Sequence, residues 1–243
     1  MRLNMIKKLF QKPTIQWPTK FEQKLEMAKD ENLIAFYSNK PPAPETPPCL
    51  RWSSSRFRND GVEPEKHDII TIGLVPFNLK RIFLRNSRHW KVRPQRALDE
   101  DSVIIHGITH SELIDAPDLG DILSELLPCL SGKIIVVHYR RIEREFLDKA
   151  LKSRLGEGIE FPVIDTLHLE ETIQQKRSGS LWERLKGKKP ESVRLAQSRR
   201  RYGLPDYTPP HHALTDAIAT AELLQAQIAH HYSEDQPISE FWL

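Results

Sequence analysis

A mixed α/β domain, with strands gathered early and strand–helix alternation later, is the fold class this sequence predicts. Three observations carry it. The runs "DIITIGLVPF" and "RIFLRN" are both β-like and stand a short hairpin-like connection apart. The run "GKIIVVHY" is continuously apolar and β-branched, as in a strand buried on both faces; an amphipathic helix, "RRIEREFLDKALKSRLG", follows it. Near the end, "HHALTDAIATAELLQAQIAHHY" is rich in Ala and Leu and reads as a long helix.

Taken in order, the chain opens with a helical stretch, "KFEQKLEMAKDENLIAFY", whose apolar residues follow a 3.6 period only loosely. Its end, "SNKPPAPETPP", is rich in prolines that remove backbone donors and favour extended chain. The expected organisation is therefore a helical extension over residues 1–37, a Pro-rich linker over 38–50, a main domain over 51–232 and a tail over 233–243. Within the main domain the two β-like runs come first. "APDLGDILSELLPCL" then has the acidic start and apolar spacing of a helix. The buried strand and its helix, closed by Gly156, lead into "FPVIDTLHLEE", so the three together predict a βαβ unit. Asp165 and Thr166, at the end of that short strand, are expected to cap the next helix.

Composition excludes several classes. In 243 residues, a hydrophobic fraction of 39% and a charged fraction of 28% argue against wholesale disorder. No apolar run approaches the roughly 20 residues that span a bilayer, and the opening "MRLNMIKKLFQKP" lacks a small-residue cleavage site, so a cytoplasmic protein is expected. Cys49 and Cys129 stand far apart with no neighbouring ligands at zinc spacing. The net charge of +3 is mild, but Lys176 through Arg201 is strongly basic. That run is either a solvated face or a track for a phosphate backbone.

The chemistry concentrates in short segments. His211 and Asp216 stand at the mouth of the last helix after "TPP", and both can reach one site if His211 lies on the entering loop. The phrase "HHALTDAIATAELL" resembles the third motif of the DnaQ-like 3'–5' exonucleases, the superfamily of the polymerase III epsilon proofreading subunit, in its His-acidic version. "VVHYRRIEREFL" is similar to the second motif, with His138 and Tyr139 at the His-Asn places and Glu143 at the place of an Asp. "VIIHGITHSEL" resembles the family's segment near the substrate, and "IITIGLVPF" its second strand. The resemblance covers roughly residues 51 to 232.

That resemblance implies an RNase H-like exonuclease fold, a central mixed β-sheet flanked by helices. It further implies two-metal hydrolysis of 3'-terminal phosphodiesters in DNA or RNA, with Mg2+ or Mn2+. His211 would be the general base, Asp216 and Glu143 the acidic metal ligands, and Gly61, His106, Gly107, Ile108 and Thr109 would lie against the substrate. The implied partners are nucleic-acid 3' ends and a polymerase or other protein.

One motif departs from the family. Its first motif, Asp-x-Glu-Thr-x-Gly, aligns on Gly61 so that Arg56 and Arg58 occupy the two acidic positions. Two divalent ions need clustered carboxylates, and guanidinium groups in their place repel cations. The chain as written is therefore expected to be impaired in hydrolysis. The alternative is a catalytically inactive nucleic-acid-binding module, because Arg holds phosphate in bidentate fashion. The genetic code offers a cause. The family-like peptide Val-Asp-Phe-Glu-Thr-Thr-Gly, encoded as GTC GAT TTC GAA ACG ACG GGG and read one base early after an added A, gives Ser-Arg-Phe-Arg-Asn-Asp-Gly. That is Ser55 to Gly61 at every position, so two compensating single-base shifts would overwrite the metal motif.

Overall fold

A computed structural model describes residues 15–46, 52–59, 61, 63–96, 110–177, 191–207 and 212–243. The described strands form one sheet of order β3-β2-β1-β4-β5. β1 (Trp52–Asn59) is its middle strand; β2 (Ile69–Phe77) and β3 (Arg88–Lys91) extend it antiparallel on one side. β4 (Ile134–Val137) and β5 (Val163–Asp165) run parallel to β1 on the other. The sheet is thus mixed, as expected. The early strands need only a short reversal to pair antiparallel, whereas the parallel β4–β5 pair needs a helix between them.

That helix is α5 (Arg140–Leu155), and it ends where Gly156 adopts φ 72°, the left-handed conformation a C-terminal glycine supplies without a Cβ penalty. Along β4 all four residues are buried. The sheet is flanked by α4 (Leu119–Leu130), α5, α6 (Thr166–Arg177) and α8 (Ala213–His231), with two shorter helices, α3 (His110–Ile114) and α7 (Leu195–Arg201). α8 lays Ala217, Ala221, Leu224 and Ile228, all buried, into the core cluster. It contacts β1, β2, β3 and β4. The small Ala side chains let this helix sit close to the sheet.

Two sequence expectations differ from the structure. The N-terminal helical stretch is two helices, α1 (Trp17–Met27) and α2 (Glu31–Ser38). Asp30 breaks it, because its carboxylate accepts the amides of Asn32 (2.9 Å) and Leu33 (3.2 Å) as an N-cap. Glu157, from the loop after α5, takes the amides of Lys29 and Asp30, which a continuous helix would have used internally. Trp17, Phe21, Leu33, Phe36 and Tyr37 belong to the main core cluster, so both helices are docked on the domain. The second difference concerns "RIFLRN". Only Ile82 bridges to Phe77, a 3-10 turn spans Leu84–Asn86, and pairing resumes at Arg88. The Asn78 side chain accepts the amides of Lys80 and Arg81 and bends the chain out of the ladder.

Candidate active site

The site sits where two helices begin against the middle of the sheet. Across the antiparallel ladder Arg56 pairs with Gly73, and Arg58 with Thr71. On the other flank Ser54 is level with Val136; the same register carried on sets His138, just past β4, level with Arg56. α5 starts there, with Glu143 in its first turn and fully buried at 0% exposure. α8 starts on the opposite flank. A Cβ added to Gly73 would lie 2.3 Å from the Ala213 carbonyl carbon and the Leu214 nitrogen. The beginning of α8 therefore rests directly on the ladder partner of Arg56, and only a residue without a side chain permits it. Asp216 is in the first turn of α8 and partly exposed; its amide donates to the His212 carbonyl at 2.9 Å.

The start of α5 is held by an acid that the sequence marks only as a cap. Asp165, 2% exposed, accepts the amides of Tyr139 (2.9 Å) and Arg140 (3.0 Å), and also that of Leu167 (3.1 Å) at the start of α6. It anchors two helix starts at once. Tyr139 adopts φ 80°, left-handed, where a Cβ costs about 1–2 kcal/mol. Asn, the residue at this place in the family's motif, tolerates that conformation better than Tyr. Beside it, the Thr166 hydroxyl donates to the Val137 carbonyl (3.0 Å), so its oxygen accepts from Nδ1–H of buried His138 at 2.9 Å.

The far edge of the site is a histidine pair. His89 on β3 pairs with Gly73, and its ring lies 4.4 Å from that of His212, the residue preceding α8. Burial, then the charges of His212 and Lys91, push its pKa down to about 4. Gly61 is also explained by packing. A Cβ there would fall 2.2 Å from the His67 ring, which is itself tied to Glu63. His211 and the segment His106, Gly107, Ile108 and Thr109 lie outside the described residues.

Among the described residues the donor set does not fit a two-ion centre. The helices contribute one carboxylate each, Glu143 and Asp216, while Trp52–Asn59 contains no acid. Among the described residues no group of three or more His, Cys, Asp or Glu converges on a metal position. Hard divalent cations take six or more oxygen ligands, and shared carboxylates are what hold two of them together.

Three arginines at the end of the basic run have partners within the fold. Arg199 donates to the Ala219 and Pro205 carbonyls, pairs with Glu222 at 2.7 Å and lies over the Tyr207 ring. Arg200 pairs with Asp206 and Arg201 with Glu170. These three cations are therefore compensated by neighbouring acids of the same chain.

A family model described as Exonuclease (RNase_T) matches residues 60–224, more than half of the chain. This chain belongs to that exonuclease family. It is a member of the DnaQ-like 3'–5' exonuclease superfamily. The DNA polymerase III subunit epsilon of Treponema pallidum is 27% identical over 175 residues, 72% of this chain and 75% of that protein. The PolC-type DNA polymerase III of Thermotoga petrophila is 33% identical over 125 residues, 51% of this chain. The chain spans only 9% of that polymerase's length.

Among solved structures, cell-death related nuclease 4 superposes with a TM-score of 0.61 at 17% identity, covering 76% of this chain and 65% of that one. The nuclease domain of 3'hExo, a DEDDh family member bound to rAMP, gives 0.59 at 16% identity, covering 78% and 96%. At these identities the likeness shows the fold, an RNase H-like exonuclease architecture. The family match begins at residue 60, immediately after the strand that carries Arg56 and Arg58. No helix among the described residues is long and apolar enough to cross a membrane.

Proposed function

We propose that the chain derives from a metal-dependent 3'–5' exonuclease acting on DNA or RNA ends, and that as written it has lost hydrolysis because β1 lacks the acids of the first motif. The observation that carries this reading is the convergence of the starts of α5 and α8 on β1 at the level of Arg56. Among the described residues, Glu143 and Asp216 stand in the first turns of those two helices, and β1 carries Arg56 and Arg58 where the family's first motif has its carboxylates. In an intact relative His211 would act as base toward water, with Glu143 and Asp216 as ligands of Mg2+ or Mn2+, which supply the activated water and stabilise the leaving oxygen. Here the side chains present do not fit that pair of ions, and no catalytic step is assigned to them.

The test is the double variant Arg56→Asp/Arg58→Glu, incubated with Mn2+ and a 5'-labelled single strand of DNA or RNA. A ladder shortening from the 3' end, abolished by chelator, supports the reading. No cleavage by the folded variant, under conditions where it binds the ions, refutes it. A second reading, an inactive nucleic-acid-binding module on the same fold, is favoured by the two arginines at the acidic positions. It predicts binding in chelator that weakens steeply with salt.

A further inference from the structure

From Ile69 to Leu98 the chain carries seven Lys or Arg and not one Asp or Glu. In the described structure three of these cations act on groups elsewhere in the fold, Arg93 through its charge on Asp118. Lys91 pairs with Glu112 at 2.6 Å, and the Arg96 guanidinium donates to the Glu65 carbonyl at 2.7 Å. Lys80, Arg81, Arg85 and Arg88 are different: all four are exposed, and none makes an ion pair among the described residues. They lie along the connection between β2 and β3 and the first residue of β3. Leu84 stands among them, 58% exposed.

This arm is built, not loose. Asn78 closes its turn, the Phe83 amide donates to the Pro76 carbonyl, and Gln225 of α8 donates to the Asn78 carbonyl at 2.8 Å. It also leads straight to the site. Arg88 is followed by His89, and the ladder row His89–Gly73–Arg56 crosses two strand spacings of about 4.8 Å each. The last cation of the arm is thus roughly 10 Å from the middle strand. Four uncompensated positive charges on a fixed scaffold, running from beyond the Trp52–Phe77 end of the ladder to Arg88 beside it, are complementary to a chain of phosphates. By contrast, Arg199, Arg200 and Arg201 are neutralised within the fold.

We propose that the β2–β3 arm holds the sugar–phosphate backbone of the nucleic-acid strand whose 3' end enters the site, through Lys80, Arg81, Arg85 and Arg88. This rests on the reading of the chain as a protein of nucleic-acid ends. The contacts are to phosphates, so binding through the arm is independent of base sequence.

The experiment is fluorescence anisotropy of a 5'-labelled oligothymidylate of about twenty nucleotides, in chelator, as a function of salt. It compares the full chain, a variant with all four residues changed to Gln, and Arg200→Gln as a control that removes an already paired surface cation. Each phosphate contact on a single strand contributes about 0.7 to the slope of log affinity against log salt. The fourfold variant should therefore lose nearly 3 units of slope and at least roughly tenfold in affinity at low salt. The control should change less than about twofold, and circular dichroism should be the same for all three.

An unchanged slope in the fourfold variant, with the parent binding well, overturns the arm assignment and leaves the nucleic-acid reading standing. A parent chain that binds no oligonucleotide at all overturns both. Binding instead to phosphatidylserine vesicles, lost in the fourfold variant, would reassign the arm to a membrane surface and also overturn the proposal.

Discussion

Replacing Gly73 with Ala tests whether α8 and the sheet define the site as described. The added Cβ would meet three backbone atoms of Ala213 and Leu214 at 2.3, 2.3 and 2.5 Å. A comfortable carbon contact is about 3.5 Å, so the helix start must retreat by about 1.2 Å. Backbone cannot swing aside as a side-chain tip can. Ala217, Ala221, Leu224 and Ile228 further along α8 are buried against the core, so a rigid retreat opens gaps that forfeit dispersion contacts. Overpacking of this kind costs about 1–3 kcal/mol, and we place this site at the upper end.

The opposing effect is smaller. Removing glycine's excess freedom in the unfolded chain returns about 0.5–1 kcal/mol. The net expectation is a loss of about 2 kcal/mol in urea unfolding, with an unchanged m-value. Gly156→Ala is the contrast, because nothing lies within 4 Å of its Cβ and only the φ of 72° is strained. It should cost about 1 kcal/mol. A Gly73→Ala protein as stable as the parent, or more so, would refute the close seating of α8 on the ladder partner of Arg56.

Other expectations follow from the same geometry. Tyr139→Asn places a residue that tolerates the left-handed region at φ 80°, and should raise stability by about 0.5–1 kcal/mol in thermal or urea unfolding; a loss would show that the Tyr ring does more than pay strain. The pKa of His89, near 4 when folded, lies below its ordinary value of 6.5. As pH falls between these values the unfolded chain binds the proton first, so stability should drop across that window and level off below it. His89→Phe should show a shallower drop in urea midpoint across the same window, and equal slopes would contradict the assignment. Resequencing the coding DNA for residues 51–62 from independent source material should find codons for Ser55 to Gly61 that spell the acidic motif in the neighbouring frame. Codons that do not would remove the frame-shift origin.

The sheet was legible in the sequence wherever burial imposed a pattern. The continuous run Ile134–Val137 is buried on both faces, and Gly156 ends its helix, because parallel strands and helix C-termini leave strong local signatures. Less legible were local breaks that partners distant in the chain reinforce. Asp30 caps α2 locally while Glu157 takes the amides before it, and the Asn78 turn that displaces β3 to Arg88 is tied by Gln225 of α8. The seating of α8 on Gly73 has only a partial local signal, since an isolated glycine in a strand marks close approach without naming what approaches.

The basic run at 176–201 stands out by density, yet Arg199, Arg200 and Arg201 within it pair with Glu222, Asp206 and Glu170. The acid-free stretch from Ile69 to Leu98 is the informative one. The signal that would have found it is the absence of acids rather than the abundance of bases.

The most direct measurement is calorimetric titration of Mn2+ into the chain as written, alongside Arg56→Asp/Arg58→Glu, each followed by a chelator-controlled assay on a 5'-labelled single strand. With Glu143 and Asp216 the carboxylates that the described helix starts bring to the site, the chain as written should show no two-ion binding and no shortening of the strand, while the double variant gains both. Chelator-sensitive 3'–5' degradation by the purified chain with Arg56 and Arg58 in place would contradict the claim that β1 has been disarmed.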